Sequence, residues 1–87
     1  MKTIQIQVQS GASWLKVSTV EYDPSRDRTK RIGDTTYFCR AGAVREAYRI
    51  LTAWLDSHQF IGRKMRVAEN AARYGEPVWK LVQRSGM

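Results

Sequence analysis

The chain carries one cysteine, Cys39, and one histidine, His58, and these are the first place to look for covalent chemistry. A thiol nucleophile needs a base within hydrogen-bond reach. The segment between the two reads as a helix over residues 42–57, and a helix of that length is roughly 24 Å long. His58 therefore falls at the far end from Cys39. Cys39 reads instead as a small buried strand residue, and His58 as a cation that complements the helix C-terminal dipole. One Cys and one His do not make a common zinc set without carboxylates. Asp56 is poorly spaced to help, two residues before His58. The eight Asp and Glu are scattered singly among bases, and Glu46 meets Arg49 one helical turn on as an ordinary surface pair. There is no Gly-rich phosphate loop and no phosphate-binding Lys motif. The expectation is a protein that is not an enzyme, with no cofactor and no metal.

What the residues do offer is positive charge beside aromatic rings. Fifteen Lys and Arg against eight acids leave +7 over 87 residues. Residues 60–87 hold +4 of it, while 1–22, 23–39 and 40–59 hold +1 each. The basic residues of the C-terminal quarter are Arg63, Lys64, Arg66, Arg73, Lys80 and Arg84. A second, local knot lies at 26–31, with Arg26, Arg28, Lys30 and Arg31. The candidate binding residues are Arg26, Arg28, Lys30, Arg31, Arg63, Lys64, Arg66 and Lys80, with Trp14 and Trp79. Basic strands and a basic loop interleaved with Trp suit a phosphate backbone. The same types, Arg and Trp above all, also serve as anchors on an acidic protein face.

Those residues need elements to position them. Ile4, Ile6 and Val8 alternate with Thr3, Gln5, Gln7 and Gln9, a strand with one buried face and a Gln face that stays wet. Gly11 supplies the positive φ for a turn over residues 10–13. Residues 14–22 form a second strand. Leu15 and Val17 suit one face while Val20 and Tyr22 suit the other, so a bulge or change of face is expected near Thr19. Pro24 stops that strand. Residues 35–39 read as a third strand, paired to the second through a long loop that carries the basic knot. The helix over 42–57 has an apolar stripe of Val44, Ala47, Tyr48, Leu51, Trp54, Leu55 and His58. It lacks a Ser, Thr, Asp or Asn cap. Trp54 is expected in the core, and Trp14 and Trp79 as cross-strand covers or binding aromatics. A fourth strand over 61–67 points Met65 and Val67 inward and Lys64 and Arg66 outward. Residues 68–75 read as a loop or a single helical turn. A final strand over 78–83 follows Pro77. The order is β-β-β-α-β-β, a small antiparallel sheet with one helix on one face, of α+β class.

Composition bounds the rest. Apolar residues at 43% and only two prolines exclude a disordered tail. A lone Cys excludes a disulfide scaffold, and no apolar run approaches a membrane span. A single domain over 1–87 in a reduced, cytoplasmic compartment is the expectation, without a signal peptide or membrane partner. An exposed edge of the first or the last strand could also mediate a homodimer.

Two resemblances bear on function. Trp14-Leu-Lys-Val, Tyr22-Asp-Pro, Lys30-Arg31, Ala43, Glu46-Ala47 and Trp54-Leu55 resemble the arm-type DNA-binding domain of phage integrases over residues 13–55. That resemblance implies a three-stranded sheet presented to the major groove, with the tip of its hairpin at Arg28-Thr29. The opening strand, Gly and Trp-bearing strand, the single helix and the closing basic strand resemble small phage- and mobile-element-encoded α/β proteins, which include anti-CRISPR proteins. That class implies a non-catalytic inhibitor that binds and blocks a host nucleoprotein complex. The inhibitor is the first expectation, and a DNA-binding accessory domain that contacts phosphates through a basic hairpin is the alternative.

Overall fold

A computed structural model describes residues 1–57 and 62–83. The strands are β1 (Lys2–Ser10), β2 (Ser13–Tyr22), β3 (Lys30–Ile32), β4 (Thr35–Tyr37), β5 (Met65–Asn70) and β6 (Trp79–Leu81), and the helix is α1 (Arg40–Leu55), between β4 and β5. The four long-range strands form one antiparallel sheet in the order β2-β1-β5-β6, and β3 pairs with β4 in a separate two-stranded sheet. The class is the expected α+β. His58, Ile61 and Arg84 lie outside the described residues.

The alternation in β1 does what its spacing demands. Ile4, Ile6 and Val8 are buried beneath the helix, and Ile4 and Ile6 join Val20, Tyr22, Val67 and Val82 in one core cluster. The helix contributes Ala43, Val44 and Ala47 to that cluster, with Tyr48, Ile50 and Leu51 packed on its rim. Small side chains make the closest contact because they let the helix backbone approach the sheet. Burial is therefore concentrated in the first half of the helix. Trp54 is half-buried and outside the cluster, and Leu55 is exposed, so the expectation of Trp54 in the core is corrected.

The helix begins two residues earlier than its apolar stripe suggests. Cys39 is the N-cap, with extended backbone and a thiol that accepts from the Gly42 N–H. Sulfur is a weak acceptor and is absent from the usual cap residues, which is why the cap is hard to read. Thr29 completes this junction, because its Oγ1 accepts from the Cys39 N–H at 3.3 Å. A Cβ on Gly42 would lie 1.9 Å from that oxygen, so glycine is required for the close approach. The thiol sits below its ordinary pKa because the Thr29 hydroxyl and then the Gly42 N–H favour its charged form.

A second polar junction ties strand to strand under the helix start. The Tyr22 hydroxyl donates to Glu69 at 2.5 Å, and Arg40 reaches the same carboxylate oxygen at 3.3 Å. Burial first, and then the bond to Glu69, pushes the Tyr22 phenol up to about 12, so it remains a donor. The Tyr48 hydroxyl donates to the Val82 carbonyl and holds the helix to the segment after β6.

Four strand expectations change. The third strand does not pair with β2; it pairs with Lys30–Ile32, which closes a local hairpin around Gly33 at φ 60. A two-residue turn with positive φ at its first position is the type II′ solution, and Gly11 at φ 59 uses it in the β1–β2 turn too. The hairpin tip is thus Gly33-Asp34 and not Arg28-Thr29. β5 runs to Asn70, through residues expected in a loop, because Ala68, Glu69 and Asn70 pair with β6. β6 is only three residues long. Finally, β1 is central, so the free edges belong to β2 and β6, and a dimer edge at β1 is ruled out.

Candidate partner-binding face

The helix occupies one face of the sheet, and no second helix among the described residues covers the other. Alternation assigns the residues of this open face. Gln5, Gln7 and Gln9 project from β1, Arg66, Ala68 and Asn70 from β5, and Trp79 and Leu81 from β6.

On β2 the assignment depends on one extra residue. Ile6 pairs with Ser18 and Gln7 with Lys16, which leaves Val17 as a bulge. Unbroken alternation through Val17 would make Trp14 and Lys16, which share sequence parity with Val20 and Tyr22, face the helix. The bulge flips them to the open face, opposite Gln9 and Gln7. The change of face read from the sequence near Thr19 is thus present two residues earlier.

Trp14, Lys16, Gln7 and Arg66 form the centre of the candidate site. The Arg66 guanidinium lies 4.2 Å from the Trp14 ring centroid and donates through Nε to Gln7 Oε1 at 2.7 Å. Gln7 in turn donates from Nε2 to Gln5 Oε1 at 3.0 Å. Gln7 is consequently only 3% exposed, which corrects the expectation of a wholly wet Gln face. Its cross-strand neighbours are Arg66 on β5 and Lys16 on β2. No buried side-chain polar atom among the described residues lacks a partner. Arg66 is held by two contacts, one to Gln7 and one to the Trp14 ring.

Further bases border this corner. The Gln9 N–H donates to the Lys64 carbonyl at 2.8 Å, and Arg63 donates to the Gln9 carbonyl at 3.0 Å. Lys64 and Lys16 are exposed. Among the described residues no carboxylate lies within ion-pair distance of Lys16, Lys64 or Arg66. The outward direction expected for Lys64 and Arg66 and the inward one for Val67 hold.

The other candidates lie elsewhere. Trp79 pairs with Asn70 on the opposite edge and at the opposite end of the sheet from Trp14. Strand spacing and rise separate the two on the order of 25 Å, too far to clamp one base or one side chain. Lys80 faces the helix side, opposite Glu69. The β3–β4 hairpin stands apart from the sheet and divides its own bases. Arg26 stacks over Tyr37 at 5.2 Å, Arg31 donates to the Gly33 carbonyl at 3.2 Å, and Arg28 and Lys30 are exposed. The structure therefore brings together Trp14, Arg63, Lys64 and Arg66, and keeps Trp79, Lys80 and the hairpin bases separate. Lys16 and Gln7 were missed, although the i, i+2 spacing of Trp14 with Lys16 matches that of Lys64 with Arg66.

Among the described residues no group of three or more His, Cys, Asp and Glu converges to hold a metal ion, and no helix is long and apolar enough to cross a membrane. No family model, curated protein or solved structure matches the chain.

Proposed function

We propose that this protein is a non-catalytic binding protein that engages a nucleoprotein complex, with the nucleic acid meeting the basic corner of the open sheet face. The observation that carries this reading is the Trp14–Arg66–Gln7 unit flanked by Lys16, Lys64 and Arg63. Among the described residues no carboxylate stands within ion-pair distance of Lys16, Lys64 or Arg66, and such bases suit phosphates. An indole with one face backed by Arg66 offers its other face to a nucleobase, an arrangement that open sheets use for single strands. An inhibitor from a mobile element, of the anti-CRISPR kind, is the specific form of this reading, since blocking a complex requires shape and charge and no reacting groups.

The β3–β4 hairpin favours a second reading. A two-stranded ribbon fits the DNA major groove, and Lys30 and Arg31 lie on this one, with Arg28 just before it. On that reading the chain is a DNA-binding accessory domain.

The test is a pull-down with tagged protein from a host lysate, repeated after nuclease treatment. A protein partner that survives nuclease, together with salt-dependent retention of nucleic acid before it, is the expected result. Recovery of duplex DNA alone would favour the accessory-domain reading and sink the inhibitor.

A further inference from the structure

The side of β2 away from β1 is a free sheet edge. The Asp23 N–H points outward and donates to the Phe38 carbonyl at 3.1 Å. Backbone direction alternates along a strand, so Thr19 and Glu21 also turn their N–H and C=O groups outward, while Val20 and Tyr22 turn theirs to β1. The N–H of Gln9 points from β1 to Lys64, beside β5, which fixes the same parity from the other side of the sheet. The Asp23–Phe38 bond joins the end of β2 to the end of β4, and beyond it the two strands diverge. Between them lies a groove of about 980 Å³. Its walls include Thr19, Glu21 and Asp23 from the β2 side and Thr35, Thr36 and Tyr37 from β4, with Ile50 of α1 beside them.

Two strand edges facing one gap are the setting for strand addition. Thr19 to Asp23 span about 17 Å, enough for roughly five residues of an added strand. The charge of the walls selects the occupant. Four of the chain's eight acids, Glu21, Asp23, Asp34 and Glu46, line this groove, and Arg26 is the one Lys or Arg among its described lining residues. Arg49 neutralises Glu46, which leaves Glu21, Asp23 and Asp34 facing the gap against Arg26, stacked on Tyr37, and the Met1 ammonium. In a chain of +7 this net negative balance is a local reversal of sign, and it favours ammonium and guanidinium groups over a phosphate backbone.

We propose that the groove between β2 and β4 takes an extended, Lys- or Arg-bearing segment of a protein partner as an added strand on the free edge of β2. Its backbone pairs with Thr19 and Glu21 on one side and with β4 on the other, and its basic side chains meet Glu21, Asp23 and Asp34. This surface lies at the other end of β2 from the basic corner, so failure here leaves the proposed function standing, and the reverse also holds.

The test uses the full chain, isotope-labelled for NMR, and a capped eight-residue peptide of alternating Lys and Thr. Saturable shifts are expected at the amides of Thr19, Glu21, Thr35, Thr36 and Tyr37. Glu21→Lys combined with Asp34→Lys should weaken binding at least tenfold, and the peptide with Glu in place of Lys should not bind. Thr19→Pro removes one outward donor without touching β1 pairing or charge and should also weaken binding at least tenfold. The same peptide with N-methyl groups at alternate residues repeats that test on the unaltered protein, should the proline variant unfold. Full binding by Thr19→Pro and by the methylated peptide would show charge attraction without strand pairing and overturn the proposal. So would equal binding of the Glu peptide, shifts confined to the open face, or dimerisation of the chain through the same amides.

Discussion

The two ends of β2 border regions of opposite chemistry. Toward the Gly11 turn, Trp14 and Lys16 join Arg66, Lys64 and Arg63 on an open, basic face whose polar side chains hold one another in place. Toward Pro24, Thr19, Glu21 and Asp23 border an acidic groove whose backbone groups are left to be filled. The bulge at Val17 divides them. The net charge of +7 is therefore an average over a surface that is polarised. A uniformly basic domain would suit nucleic acid alone. A domain with one basic face and one acidic strand edge suits an assembly of nucleic acid and basic protein.

Inserting one alanine between Val17 and Ser18 breaks the comparison most directly. With a single bulged residue kept, Lys16 moves from Gln7 to Val8, and Lys16 and Trp14 turn toward the helix side, away from Arg66. A cost of about 1–3 kcal/mol in urea denaturation and loss of single-strand binding are expected. Near-native stability with intact nucleic-acid binding would mean that the bulge does not set the face.

The next largest effect separates the regions by charge. Neutralising Lys16, Lys64 and Arg66 together should reduce the slope of log affinity against log salt for single-stranded nucleic acid by about two, at about 0.7 per phosphate contact on a single strand. Binding of the Lys-Thr peptide in the groove should not fall. Neutralising Arg28, Lys30 and Arg31 should leave the single-strand slope within about one of its original value. The opposite ranking would move the nucleic-acid contact to the hairpin.

Stacking divides the two edges of the open face itself. Trp14→Ala should weaken single-strand binding by about 1–3 kcal/mol, the usual worth of one stacked base. Trp79→Ala should change it by less than about 0.5 kcal/mol, as substitutions remote from a site do. Equal losses, measured by fluorescence anisotropy at fixed salt, would require a ligand that spans the whole sheet.

How far the sequence led follows the same division. The basic face was legible wherever the signal was local: the period-two pattern of β1, the turn at Gly11, the outward Lys64 and Arg66, and the change of face in β2. The groove was not, because it depends on a pairing that spacing alone does not settle. Lys30–Ile32 is exposed at every residue and so carries no buried face to reveal it as a strand. The helix start was obscured because sulfur does the work of a hydroxyl at Cys39. Trp54 looked like core because large residues dominate an apolar stripe, whereas the closest helix–sheet contact uses Ala43 and Ala47. The acids of the groove come from three separate places in the chain, so their convergence has no linear signature.

The smallest predicted effect sharpens the acidic side. Asp23 accepts from the Ser25 hydroxyl at 2.6 Å and from the Ser25 N–H at 2.9 Å. These bonds, the hydroxyl first, hold its carboxyl below the usual carboxylate range. A carboxyl with a depressed folded-state pKa contributes stability that is present above its unfolded value and is lost as pH falls through the lower, folded one. Asp23 therefore stays charged at mildly acidic pH, and the groove keeps part of its attraction for basic side chains where an ordinary carboxylate has begun to protonate. Ser25→Ala removes the larger cause and spares the backbone donor. The Asp23 side-chain carbon resonance should then titrate at higher pH, and the affinity of the Lys-Thr peptide should begin to decline at a higher pH as the solution is acidified. The amide shifts of Gln5, Gln7 and Arg66 should not follow that titration, because the open face holds its geometry through Arg66 and Gln7 without any carboxylate. A joint response of both regions would show that β2 couples them and that its two ends do not act as independent surfaces.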